Sequence, residues 1–198
     1  MRGKFIVIEG LDGCGKSTQV DLLGRWLKSQ AKKVVHTGEP TNGEIGKIIK
    51  SILRGELKVP VESEVLLFAA DRMQHLSSLI LPSLKKGAIV LNERYVHSSL
   101  AYQCARGAPE HLVRMANANA SPPDLAIFID VPVKMAMERV QKARSPDKFE
   151  EDMKLQKKVR KNYLKYVKKG ELEIVDGSRP PMEVQQEIRA LVSRLLKH

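Results

Sequence analysis

Residues 10–18 read GLDGCGKST, and the spacing Gly10-x-x-x-x-Gly15-Lys16-Ser17 constrains the fold more than any other stretch of the chain. A strand must feed such a loop and a helix must leave it, because only then do backbone N–H groups and the helix dipole converge on one phosphate. The flanks comply: KFIVIE precedes the loop and STQVDLLGRWL follows it. Gly10, Gly13 and Gly15 permit the tight backbone, with Leu11, Asp12, Cys14 and Thr18 completing the wall of the nucleotide-phosphate site. Lys16 is placed to bridge β- and γ-phosphates, and the Ser17 hydroxyl to bind Mg²⁺. A glycine-rich turn that merely caps a helix is the alternative. Cys14 is taken as a small residue that fits. Asp12 is the anomaly, a carboxylate among groups suited to anions.

Short Val/Ile-rich runs recur at KFIVIEG (4–10), KKVVHT (32–37), GAIVLNER (87–94), DLAIFIDV (124–131) and ELEIVDG (171–177), with helical periodicity between them. That alternation predicts an α/β three-layer domain with a five-stranded parallel sheet, its ligands at the carboxyl ends of the strands. At 198 residues it is expected to be a single domain over 1–198, with turns at Gly55, Gly107 and Ser121-Pro122-Pro123.

Net charge of +11 points to anionic partners or simply to a solvated Lys-rich surface. The Lys-rich segment near 152–169 carries Leu155, Val159, Tyr163 and Val167 at i, i+4, i+8 and i+12, which favours one buried and one wet helix face over a nucleic-acid patch. Two distant cysteines, Cys14 and Cys104, match no metal or redox spacing and suit a reducing compartment. MRGKFIVIEG is too short an apolar run for a signal peptide, and no run reaches membrane-spanning length, so a cytoplasmic protein without a membrane partner is expected.

A phosphate loop alone allows GTPases, motor-like ATPases, nucleic-acid translocases and small kinases. No N-K-x-D follows a later strand, which disfavours a GTPase. The third strand ends in Glu93, and Arg94-Tyr95 follows, a metal acid beside a cation suited to a second phosphate. Phe68, Asp71, Arg72 and His75 fall at i, i+3, i+4 and i+7 of the long helical run. That stripe either faces solvent or forms a wall that stacks a base on Phe68 and hydrogen-bonds its edge with Arg72.

With these pieces in order, the chain resembles thymidylate kinases, P-loop nucleoside-monophosphate kinases. The likeness rests on GLDGCGKSTQ (10–19), TGEP (37–40), LFAADR (67–72), ERYVHSSLAYQ (93–103), PDLAIFIDVP (123–132) and DKFE (147–150), and it covers nearly the whole length. It implies transfer of phosphate from ATP to dTMP, a P-loop kinase fold, Mg²⁺ and a homodimer supported by the apolar run in 61–82. Position by position, it implies that Lys16 and Ser17 handle ATP and Mg²⁺, that Glu93 replaces the family's metal-associated Asp, and that Arg94 clamps the acceptor phosphate. Phe68 and Arg72 are implied to hold thymine, with Glu39, Pro40, Ser99, Tyr102 and Gln103 around base and sugar. Tyr102 is implied to crowd the 2′ position, and Asp12 to turn toward the acceptor's sugar and phosphate. The alternatives are a kinase for another nucleoside monophosphate or a deoxynucleoside, and a nucleic-acid-stimulated P-loop ATPase.

The chain departs from the family pattern at Gly38, where Arg is usual before Glu-Pro, and at Glu93, one methylene longer than Asp. Gly13 also follows Asp12 where some members carry Arg or Lys, so the transition-state cation is expected from a lid near 139–150. Arg139, Lys142 and Arg144 are its candidates, Arg144 as the arginine finger and Arg139 nearer the adenine; a basic helix end facing water is the alternative.

Overall fold

The computed structural model describes residues 2–143 and 152–197. Strands β1 (Phe5–Glu9), β2 (Val34–Gly38), β3 (Ile89–Glu93), β4 (Leu125–Asp130) and β5 (Glu173–Asp176) coincide with the five apolar runs. They form one parallel sheet in the order β2-β3-β1-β4-β5. All five residues of β1 are buried, because a central parallel strand between two helical layers is covered on both faces. Each Ile or Val buried in this way contributes about 1.5–3 kcal/mol over its exposed state.

The helices are α1 (Lys16–Ser29), α2 (Glu44–Leu53), α3 (Val61–His75), α4 (Leu81–Lys85), α5 (Val96–Ala105), α6 (Glu110–Ala116), α7 (Val133–Ala143), α8 (Met153–Lys168) and α9 (Pro181–Lys197). The run from 61 to 84 is not one uniform helix: α3 passes through a π-helical stretch, Leu76–Ile80, before α4. Pro82 has no N–H to give the carbonyl one turn upstream, so the helix reorganises just ahead of it. Sequence periodicity missed α5, since His97, Ser98, Ser99 and Gln103 are buried along with Leu100 and Ala101 and erase the apolar-polar contrast.

On α8, Val159 and Tyr163 are fully buried and Leu155 and Val167 pack half-buried against the core, as the stripe predicts. Asp152 caps this helix, its carboxylate accepting from the backbone N–H of Lys154 at 2.9 Å and Leu155 at 3.0 Å. Tyr163 stacks on Phe128 of β4 with ring centroids 4.7 Å apart. Since β1 is flanked by β3 on one side and β4 on the other, the crevice opens at the carboxyl ends of these strands, where the chain leaves β1 for the loop.

Candidate active site

From Glu9 the backbone turns through residues 10–15 and enters α1 at Lys16. Gly13 has φ +79°, and a Cβ there would lie 2.2 Å from the carbonyl oxygen of Ala136, so this position admits no side chain at all. Gly15, at φ +98°, is the left-handed residue that opens α1. Leu11 is buried in the core and gives the loop only its backbone. Burial pushes the Cys14 thiol pKa up, with Lys16 only partly offsetting it, so the sulfur packs as a protonated, inert group.

The Lys16 ammonium donates to the carbonyls of Gly10 at 3.1 Å and Leu11 at 2.9 Å. Ser17 donates its hydroxyl to Glu93 Oε2 at 2.8 Å, and the other Glu93 oxygen lies 3.1 Å from His36 Nε2. The two residues expected to share a metal therefore touch. Mg²⁺ typically takes one or two protein ligands beside substrate phosphates and waters, so a hydroxyl next to a carboxylate fits it. Among the described residues, no group of three His, Cys, Asp or Glu side chains could hold a metal by itself.

Among the described residues, Asp12 lies between the cations of Arg94 and Lys16. Its Oδ1 accepts from Arg94 Nη2 at 2.7 Å and lies 3.6 Å from the Lys16 ammonium. Arg94 also donates to Ser98 Oγ at 3.2 Å and Tyr102 Oη at 3.4 Å, with its guanidinium 5.0 Å from the Tyr102 ring centroid. Burial pulls the Arg94 pKa down, but Asp12, Tyr102 and Tyr163 more than reverse this and the net shift is upward, so the cation persists. Its backbone holds φ +64°, a strain of about 1–3 kcal/mol for a non-glycine residue. Two hydrogen bonds enforce it: Arg94 N–H to Ile8 at 3.0 Å, and Asn92 Nδ2 to the Arg94 carbonyl at 2.8 Å.

Asp12 and Arg94 line two cavities at once. The larger, about 600 Å³, runs along the phosphate loop and is lined by Asp12, Gly13, Cys14, Gly15, Lys16, Ser17 and Thr18, with Glu39, Glu93 and Arg139 beside them. The smaller, about 80 Å³, is lined by Pro40, Phe68, Ser99, Tyr102 and Gln103, together with Leu53, Glu64, Ser98 and Arg106. Gln103 is buried, and its side-chain oxygen has no partner among the described residues, which leaves an acceptor for a ligand.

The solvent-facing alternative for the Phe68 stripe is overturned, because Asp71, Arg72 and His75 are all buried. Arg72 sits one layer behind the small cavity. It pairs with Glu39 Oε2 at 2.7 Å and donates to Asn117 and, at 3.3 Å, to Ser99, with its guanidinium 5.0 Å from the Tyr95 ring centroid. His75 approaches the other Glu39 oxygen at 3.3 Å, and Asp71 holds Thr41 through its N–H at 2.8 Å and its hydroxyl at 2.5 Å. The helix thus fastens the TGEP loop. Arg72→Ala is expected to cost about 3–5 kcal/mol in chemical denaturation, because Glu39 is left buried without its cation. A loss under about 1 kcal/mol would contradict that account.

Sequence reasoning passed over the far side of the large cavity, where Gly177 and Arg179 follow β5 and Gln19, Pro181 and Val184 stand on α1 and α9. The carboxyl-end rule for parallel sheets was the available signal. Arg139 joins that wall, donating to the Gly177 carbonyl at 3.2 Å and approaching that of Gly13 at 3.5 Å. Lys142 is exposed near the end of α7, while Arg144 and the DKFE match lie outside the described residues.

The family model for thymidylate kinase matches residues 8–188, spanning both cavities. The chain belongs to the thymidylate kinase family. It is 43% identical to the probable thymidylate kinase of Pyrococcus horikoshii, over 99% of this chain and 98% of that protein. It is 37% identical to the thymidylate kinase of Methylobacillus flagellatus, over 95% of this chain and 96% of that one. The probable thymidylate kinase of Pyrobaculum aerophilum is also 37% identical, over 98% of each chain. Where thymidylate kinases usually carry Arg before Glu-Pro, a Cβ on Gly38 would lie 3.2 Å from both Cβ and the carbonyl oxygen of Glu93, so strand proximity crowds any side chain at this position.

Proposed function

We propose that this protein transfers the γ-phosphoryl group of ATP to dTMP, giving ADP and dTDP. The observation that carries the proposal is the Asp12–Arg94 pair, which lines both cavities and so stands where two phosphate-bearing ligands would meet. The large cavity takes ATP, with loop N–H groups and Lys16 on its phosphates. Mg²⁺, held through Ser17 and Glu93, would neutralise charge on the β- and γ-oxygens. The small cavity takes the nucleoside of dTMP, with Phe68 stacking on thymine, Gln103 accepting from its edge and Tyr102 against C2′. Arg94 grips the acceptor phosphate and keeps an oxygen of it in line with the γ-phosphorus; that oxygen forms the new P–O bond as the bond to the β-phosphate oxygen breaks. Asp12 orients the Arg94 fork and accepts from the sugar hydroxyl. The lid over 139–150 supplies a further cation, with Arg144 as the proposed finger.

The proposal includes a cytoplasmic homodimer. Among the described residues no helix is long and apolar enough to cross a membrane. On the face suited to a second copy, Leu66, Met73 and Leu79 are exposed along the helical run.

ATP turnover against a nucleotide panel tests the proposal. dTMP should be the preferred acceptor, and ribothymidine monophosphate should lose at least about tenfold in kcat/KM, since a filled site must repack for the extra hydroxyl. DNA and RNA should not stimulate turnover. Equal rates across the panel, or turnover that depends on nucleic acid, would reject it.

A further inference from the structure

Glu9 is a fully buried carboxylate at the end of β1, immediately before the phosphate loop, and no step above uses it. Burying a charge this deeply is costly unless every lone pair finds a donor. Here each oxygen finds two. Oε1 accepts from the backbone N–H of Tyr95 at 2.8 Å and of Ser98 at 3.1 Å. Oε2 accepts from the Ser98 hydroxyl at 2.5 Å and the Tyr163 hydroxyl at 3.0 Å.

Tyr95 and Ser98 are the N-cap and third residues of α5, a ten-residue helix whose N-cap side chain makes no capping bond. In a capping box, two side chains of the helix itself satisfy these two N–H groups. In this protein one remote carboxylate satisfies both and also places negative charge at the positive end of the helix dipole. Helix α5 presents Ser98, Ser99, Tyr102 and Gln103 to the small cavity, and Arg94 precedes it in a left-handed conformation. Gly10, next to Glu9, begins the loop of the large cavity.

We infer that Glu9 is a positioning residue which holds the acceptor helix in register with the phosphate loop, so that Arg94 and the α5 side chains meet dTMP at the distance phosphoryl transfer requires. The inference rests on assigning the small cavity to dTMP. Glu9 does not touch substrate; it acts through Tyr95, Ser98 and the strained turn at Arg94.

Glu9→Gln keeps the volume but turns one acceptor into an N–H₂ donor. Binding and turnover are to be measured separately, dTMP and ATP Kd by calorimetry and kcat by steady-state assay. Because misplacement by about an ångström typically costs about a hundredfold in rate, kcat should fall by about 10–100-fold. dTMP Kd should rise by about tenfold while ATP Kd stays within about threefold, since only the acceptor helix is released. Tyr163→Phe removes one of the four hydrogen bonds and keeps the ring on Phe128; it should weaken dTMP about three- to tenfold with ATP unchanged.

A folded Glu9→Gln protein with dTMP Kd and kcat within about twofold of wild type overturns the inference even if its Tm falls, because stability alone was then at stake. Equal weakening of both nucleotides overturns it too. Should Glu9→Gln not fold, Tyr163→Phe decides by the same split, and unchanged dTMP affinity there rejects the inference. Wild-type protein that binds ATP but not dTMP removes the assignment of the small cavity itself, a result distinct from every variant outcome.

Discussion

Replacing Lys16 with alanine is expected to leave a folded protein whose kcat for phosphoryl transfer falls by at least about 10³. Only 6% of Lys16 is exposed, and its ammonium is held inside the loop by the carbonyls of Gly10 and Leu11. When triphosphate enters, this is the cation already at the loop, and charge in a site shielded from water acts more strongly than at a surface. Methyl in place of the ammonium removes both the compensation for developing phosphate charge and a cation that stands 3.6 Å from Asp12. Circular dichroism establishes the fold and a coupled assay the rate. Near-normal turnover in a folded variant would sink the phosphate-loop assignment.

Arg94→Ala is expected to lower kcat/KM by about 10³, with the dTMP KM rising and the ATP KM moving little. Arg94 lines both cavities while bonding to Asp12, Ser98 and Tyr102, so its loss removes the phosphate clamp and releases three neighbours together. Arg94→Lys is expected to recover about tenfold or less, because a single ammonium cannot reproduce a planar fork aimed at several acceptors. Full recovery with lysine would show that charge by itself suffices. An Arg94→Ala enzyme with unchanged dTMP KM would move the clamp to another cation.

The strands and the phosphate loop were legible because both are local: a buried parallel strand announces itself by an unbroken apolar run, and the loop by glycines at fixed offsets from one lysine. The two faces of α8 were legible for a similar reason, since a wet helix on a core shows its period in the side chains. Phe68 and Arg72 could be paired from spacing alone, but their environments could not. Phe68 lines the small cavity, whereas Arg72 lies behind it on Glu39, from a segment more than thirty residues away in the chain. Helix α5 was missed as a helix even though its residues were singled out as a site. The polar groups that make it useful, buried on the cavity side, also hide its period.

What this sequence determined by itself is the phosphate loop, the parallel α/β sheet around it and the kinship with thymidylate kinases, all of which follow from spacing within short windows and from their order along the chain. Tertiary structure alone decided how the charges are spent. It set Asp12 between Lys16 and Arg94, joined Ser17 to Glu93, buried Arg72 against Glu39 and capped α5 with Glu9. The partnerships of Ser17 with Glu93 and of Arg72 with Glu39 span more than thirty residues of chain, and those of Asp12 with Arg94 and of Glu9 with Tyr95 span more than eighty. Pairing at such separations depends on which strands lie side by side in the sheet, a global property that no local pattern of residues encodes.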